Sequence, residues 1–178
     1  LRKKTEKGLI IIQQKHYLDI ERLKPNYLDA FSEGDEIVIQ EKIDGANFSI
    51  RYDAESDSIK AFSRRKELNE TNTLRGAWNW SQTLDKELIK TVLGSNLILF
   101  MEWLVPHTVK YPDDKYHKAY CYDVYDTNIQ QYLKQTETEK IVRELNLTFV
   151  PVFYRGRFTN WDDVKTYIGK TQMGGEYG

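Results

Sequence analysis

Short stretches in which apolar residues alternate with polar ones, or run unbroken for a few positions, recur along the chain. That is the pattern of β-strands with one or both faces covered. It predicts strands over 36–43, 46–52, 58–65, 96–104, 119–125 and 148–154. Asp44-Gly45 is a turn signal between the first two, and the polar run 53–57 separates the second from the third. Pro151 confines the last strand to a sheet edge or a bulge. Helical spacing is rarer. Leu84, Leu88, Ile89 and Val92 share one helical face that ends at Gly94. Thr136 and Glu139 form a capping-box pattern ahead of Ile141, Val142 and Leu145. Asn160 can cap a helix over 161–168, with Asp162 and Asp163 in its first turn and Gly169 just past its end. Adjoining short strands with a few helices imply an α+β domain of mostly antiparallel sheets, not a regular βαβ series. No repeat or Pro/Gly-rich linker divides the chain, so it reads as one domain.

Composition narrows the partners. The chain has 178 residues, 40% of them hydrophobic, enough to bury roughly 70% of the surface its unfolded form exposes. Lys and Arg number 26 against 27 Asp and Glu, a net charge of −1. Any polyanion must therefore be held by a local cluster of cations, because the whole protein is not a cationic surface. A single cysteine, Cys121, excludes a disulfide framework, and with only three histidines a zinc site is not expected. Cysteine usage points to a reducing compartment, the cytoplasm. No apolar run approaches the ~20 residues that cross a bilayer. Leu9-Ile10-Ile11-Ile12 follows a basic start but leads into Gln13-Gln14-Lys15 without a small-residue cleavage site. The Asn-x-Ser/Thr triplets at Asn47, Asn69, Asn79 and Asn146 are then chance matches. The missing initial Met and the turn-like ending 174–178 read as a fragment.

The segment Gln40-Glu41-Lys42-Ile43-Asp44-Gly45-Ala46-Asn47-Phe48 is the most informative stretch. Lys42 sits where a mostly apolar strand meets a tight turn. A lysine among apolar neighbours and other cations loses its proton more readily, because desolvation and like charge both disfavour the ammonium. The free amine is a nucleophile. Gly45 would let backbone approach a phosphate, and Asn47 and Ser49 offer polar groups on alternate positions. Taken alone, this motif describes a surface hairpin with one solvated lysine. Other pieces shift the reading. Ser63-Arg64-Arg65 closes the third strand, Glu102 stands alone at the end of the apolar run 97–101, ahead of Trp103 and Leu104, and 120–125 is an aromatic strand. A carboxylate in an apolar strand must meet a cation or a metal, since unpaired burial costs several kcal/mol. Together these residues supply an amine, guanidinium groups for phosphate, a carboxylate for Mg²⁺ and an aromatic face for a purine.

In this order the residues resemble the covalent nucleotidyltransferases, the superfamily of ATP-dependent DNA ligases, RNA ligases and mRNA capping enzymes. The nearest likeness is to the RNA ligase 2 family, whose Glu-Lys-x-x-Gly-x-Asn-Phe signature reads Glu41-Lys42-Ile43-Asp44-Gly45-Ala46-Asn47-Phe48 here. The resemblance implies a ligase-type adenylyltransferase domain over 17–178 that lacks its last motifs. Residues 1–16 would be an N-terminal extension or an appended segment. It implies that Lys42 attacks the α-phosphorus of ATP to form a lysyl-adenylate. The AMP would pass to an RNA 5′-phosphate, and a 3′-hydroxyl would seal the break, an RNA-repair reaction. Glu41, Lys42, Ile43, Asn47, Arg64, Glu102 and Tyr122 would bind the nucleotide. Glu41 would lie beside the adenine, Asn47 and Arg64 by the ribose and α-phosphate, and Tyr122 stacked on the base with Tyr120 as the fallback. Glu102 would lie near the ribose and bind Mg²⁺ or Mn²⁺. A monomer with ATP and RNA ends as partners is the expected state, with no membrane.

The family's Glu-Gly and Lys-x-Lys motifs are absent, and Glu176-Tyr177-Gly178 does not replace them. Their lysines contact the α-phosphate in the family, so slow self-adenylation of this chain is expected. A DNA ligase, a GTP-using capping enzyme and a non-catalytic nucleic-acid-binding module are the alternatives. Asn47-Phe48 after Gly45 favours RNA ligase over the first two. Gly169-Lys170-Thr171 mimics a P-loop ending, but Val164 stands where the earlier glycine is required and a helix precedes it. His107 reads as a loop residue, and Trp78 and Trp80 as packing.

Overall fold

The computed structural model describes residues 3–4, 10–11, 15–22, 25 and 28–177. Lys3–Lys4 (β1) pairs antiparallel with Ile10–Ile11 (β2). The remainder of 1–14, including Leu9 and Ile12 of the apolar run, lies outside the described residues. The other strands are Glu36–Gln40 (β3), Ala46–Asp53 (β4), Ser58–Ser63 (β5), Leu97–Leu104 (β6), Val109–Lys110 (β7), Lys118–Asp126 (β8), Gln131–Tyr132 (β9), Thr148–Phe149 (β10), Val152–Arg157 (β11) and Glu176–Tyr177 (β12). The helices are Ala77–Ser81 (α1), Lys86–Leu93 (α2), Gln135–Glu144 (α3) and Trp161–Lys165 (α4). The domain is α+β and its sheets are mostly antiparallel. No helix among the described residues is long and apolar enough to cross a membrane.

A six-stranded sheet in the order β10-β8-β6-β4-β5, with β9 beside β8, forms the centre. Alternation gives it two different faces. One face carries Phe48, Ile50, Tyr52, Ile59, Ala61, Leu99, Met101, Trp103, Ala119, Cys121 and Val124. Against it pack Ile89 and Leu93 of α2, Val142 of α3 and Ala77 of α1, which makes the main core. The rings of Trp80 and Trp103 meet at a tilt of 40° with centroids 5.8 Å apart in that core, and Trp78 packs beside it, as expected. The opposite face presents Asn47, Glu102 and the ring of Tyr122, and it carries the site.

Several expectations hold and others are corrected. The Asp44-Gly45 turn does not close a hairpin. β3 pairs with β11, and β4 pairs with β5 and β6. The chain therefore leaves one sheet at Gln40 and enters another at Ala46. The strand expected over 148–154 is split at Val150-Pro151, where a proline cannot donate to a ladder, into β10 on β8 and β11 on β3. α2 follows Asp85, whose side chain accepts from the Leu88 N–H at 3.0 Å, and ends at Gly94 as expected. In α3 the cap is Lys134, and Glu137 rather than Glu139 reaches back to its N–H. Glu139 instead pairs with Arg143 and Arg155. Asn160 caps α4 by accepting from the Asp163 N–H at 2.9 Å, although that helix is shorter than the pattern implied. α1 carried no cap signal and was not expected.

Candidate active site

The residues around Lys42 are fixed by three separate struts. Glu41 is buried, and its carboxylate accepts from Thr171 Oγ1 at 2.5 Å, from the Gln172 N–H at 2.7 Å and from the Met173 N–H at 3.2 Å. Ile43 is buried in a second cluster with Leu104, Tyr111, Tyr120, Val150 and Met173. Asp44 accepts from the Val109 N–H at 2.8 Å and meets His107 Nδ1 at 2.9 Å, while its own N–H donates to Tyr111 Oη at 3.0 Å. Burial opposes ionisation of Asp44. The Val109 N–H and the His107 ring, joined by the Thr108 N–H, outweigh it and hold the carboxyl below the ordinary range. His107 is thus a loop residue, as expected, and it braces the turn. With both neighbours buried, Lys42 is left exposed and turned to the cavity. It is not packed among apolar strand residues as expected, because the strand has already ended at Gln40.

Gly45 has a role different from the one its sequence suggests. A Cβ there would lie 2.6 Å from the Trp103 carbonyl oxygen, 3.1 Å from Glu102 Cγ and 3.2 Å from Leu104 Cα. The close approach is to β6, and the Gly45 N–H donates to Glu102 Oε1 at 3.1 Å. Glu102 is half-buried on β6 opposite Asn47 of β4. Desolvation pushes its carboxyl up to about 7, against the Gly45 N–H and the nearby Lys42 charge, which favour ionisation.

Tyr122 owes its position to an irregularity. Phe100 pairs with Asp123 and Met101 with Cys121, so Tyr122 is the extra residue of a β-bulge in β8. Its hydroxyl accepts from Asn47 Nδ2 at 2.6 Å. Burial, then the neighbouring Glu102 charge, raises its pKa far above the ordinary tyrosine value. Tyr120 lies in the second apolar cluster with its hydroxyl on the Lys115 carbonyl, and it does not line the cavity. Arg64 stands at the end of β5, with its guanidinium paired to Asp19 and its carbonyl held by His16 Nδ1 at 2.5 Å.

A cavity of about 840 Å³ joins these groups. Glu41, Lys42, Ile43, Asn47, Arg64, Glu102 and Tyr122 all line it, with Arg65, Lys66 and Leu74 beyond Arg64. A further wall is the segment Tyr17-Leu18-Asp19-Ile20, which sequence reasoning missed. Tyr17 packs edge-on against Tyr122 at 5.0 Å and its hydroxyl donates to Asp123. One aromatic residue in a polar stretch gave no periodic signal for that role. A cavity of this size suits a nucleotide, and its walls mix apolar side chains with charged and polar ones.

A model of the RNA ligase family matches residues 35–176. The chain belongs to the RNA ligase family. A search of curated protein sequences finds no match. This RNA ligase domain is similar in fold to an archaeal ATP-dependent RNA ligase, with TM-score 0.63 and 18% identity, covering 81% of this chain and 38% of that one. It is also similar to a lysine-to-alanine mutant of Naegleria gruberi RNA ligase with ATP and Mn, with TM-score 0.60 and 21% identity over 79% of this chain and 43% of that one. The same Naegleria gruberi enzyme with PPi gives TM-score 0.57 and 21% identity over 80% and 43%. The chain spans about two-fifths of the length of those structures.

No group of three or more His, Cys, Asp or Glu side chains suited to a metal occurs among the described residues of the RNA ligase domain. Glu102 faces the cavity with one oxygen on the Gly45 N–H. A single carboxylate fits Mg²⁺ or Mn²⁺ when the other ligands are substrate phosphates and water.

Proposed function

We propose that this chain carries the nucleotide-transfer site of an ATP-dependent RNA ligase, with Lys42 as the nucleophile. Lys42 Nζ attacks the α-phosphorus of ATP. An N–P bond forms, the bond to pyrophosphate breaks, and the amine's proton leaves to solvent. The AMP then passes from Lys42 to an RNA 5′-phosphate, and a 3′-hydroxyl displaces it to form the phosphodiester bond. The substrate class is broken RNA carrying those two ends, as in RNA repair.

Each residue has a part in that reading. Tyr122 and Ile43 hold the purine, and the Asn47–Tyr122 hydrogen bond fixes the ring that would stack on it. Asn47 and Arg64 meet the ribose and α-phosphate. Glu41, tied to 171–173, sets the backbone beside the base. Glu102 faces the ribose and would hold Mg²⁺ or Mn²⁺, which supplies charge neutralisation on the phosphates when bound. Most of the catalytic benefit comes from positioning an amine in line with a leaving group beside fixed cations.

The observation that carries the proposal is convergence. All of these residues, drawn from distant positions in the chain, line one nucleotide-sized cavity with Lys42 exposed to it. ATP labelled on the α-phosphate tests it, with ATP labelled on the γ-phosphate as the control. Label from the α position should stay on the protein in the presence of Mg²⁺ or Mn²⁺, and label from the γ position should not. Retention of γ-label, or equal α-labelling of Lys42→Ala, would overturn the assignment.

A further inference from the structure

The cavity holds more positive charge than the lysine transfer step uses. Lys42, Arg64, Arg65 and Lys66 line it together with the carboxylates of Asp19, Glu41 and Glu102. Backbone N–H groups at 172–173 hold Glu41, and the Gly45 N–H holds Glu102. Arg64 is paired with Asp19. Among the described residues, neither Arg65 nor Lys66 has a carboxylate partner, and the adjacent Glu67 is taken by Lys60 at 3.1 Å on β5. The turn that carries them is nevertheless ordered. The Ser63 N–H donates to the Lys66 carbonyl at 2.9 Å, the Lys66 N–H donates to Ser63 Oγ at 3.2 Å, and Phe62 bridges to Glu67. His16 Nδ1 on the Arg64 carbonyl braces the turn from the other side. Both residues are exposed, and two uncompensated cations on a braced turn that lines a cavity are suited to an anion.

Strand order says which part of a ligand they meet. Across the sheet the site residues run from Tyr122 on β8 through Glu102 on β6 and Asn47 on β4 to the end of β5. Strands lie about 4.8 Å apart, so this row spans roughly 14 Å, near the length of an extended nucleoside triphosphate. With the base at Tyr122, the far end at Arg65 and Lys66 falls beyond the α-phosphate.

We infer that Arg65 and Lys66 form a second anion site in this cavity, one that takes a terminal phosphate. The group is either the β,γ-diphosphate of ATP or the 5′-phosphate of RNA. The identity of the ligand rests on the proposed function, but the anion site does not.

The test compares the full chain with an Arg65→Gln/Lys66→Gln variant, and uses a Lys140→Gln/Arg143→Gln variant on the exposed face of α3 as the charge control. Calorimetry with inorganic pyrophosphate alone reads the anion site, and with AMP reads the nucleotide end. Pyrophosphate affinity should fall at least tenfold in the first variant and stay within about twofold in the control, with AMP affinity unchanged. Undetectable pyrophosphate binding by the unaltered chain, or equal affinity in all proteins, overturns the anion site even if AMP binds. Pyrophosphate binding that depends on Arg65 and Lys66 without AMP binding supports the anion site and refutes the nucleotide reading. Parallel titrations with ATP, and with one RNA bearing a 5′-phosphate or a 5′-hydroxyl, identify the source. A loss confined to ATP supports the diphosphate, and a loss confined to the 5′-phosphorylated RNA supports the strand end. Equal weakening of both RNAs and AMP contradicts a terminal-phosphate site.

Discussion

At the scale of single residues, the site depends on groups whose identities were legible but whose reasons were not. Gly45 reads as a turn or phosphate-approach glycine, yet what excludes a side chain is the Trp103 carbonyl 2.6 Å from where its Cβ would lie. Backbone cannot rotate away, so Gly45→Ala should cost on the order of 1–3 kcal/mol in chemical denaturation. A loss below a few tenths would contradict that packing. Glu102 offers a pH test. Its carboxyl is raised from an ordinary 4.5 to about 7, chiefly by burial, so the folded protein binds this proton more tightly than the unfolded chain. Its contribution to stability is therefore full below pH 4.5, declines as pH rises through that window, and remains a penalty above about 7. Glu102→Gln keeps the acceptor for the Gly45 N–H and removes the charge. It should raise Tm near pH 8 and leave it unchanged near pH 4. The opposite ordering would contradict the burial argument.

At the scale of elements, alternation located β4, β5, β6 and β8 of the central sheet and the start of β10, because each buries one face, but it missed the two-residue β9. It did not give the pairing. β3 and β4 adjoin in sequence but belong to different sheets, since the partner of β3 is β11, far along the chain. The bulge at Tyr122 was equally hidden. A local pattern does not report an extra residue in a ladder, though that residue puts the ring where Asn47 can reach it. The wall formed by 17–20 has no regular structure to betray it. Tyr17 nonetheless packs on Phe100, Tyr122 and Tyr132, while Leu18 and Ile20 are each 63% exposed. Tyr17→Ala should cost about 2 kcal/mol, less than a fully buried aromatic, and should make residues near 17 the first site of limited proteolysis. Wild-type stability and cleavage pattern would show that the segment is not docked.

At the scale of the whole molecule, near-neutral net charge makes any nucleic-acid contact a local matter. Lys42, Arg65 and Lys66 are the cavity cations not neutralised by a carboxylate among the described residues. Three phosphate contacts on single-stranded RNA give a slope of log affinity against log salt of about −2. Fluorescence anisotropy across a salt series measures it, and a slope steeper than about −5 would place the contact on a broad surface instead of this cavity. The fold class and most strand positions were legible because their patterning is local, while the pairing was not. The convergence of 41–47, 64, 102 and 122 was not deducible from periodicity, and came into view through the order of residue types that resembles RNA ligases.

The central claim is that Lys42 forms a covalent bond to AMP. Peptide mapping by mass spectrometry after incubation with ATP and Mg²⁺ or Mn²⁺ tests it most directly. The predicted result is an AMP adduct on the peptide containing Lys42, absent from Lys42→Ala and lost in acid as a phosphoramidate would be. An adduct on another residue, or one that persists in Lys42→Ala, would contradict the account.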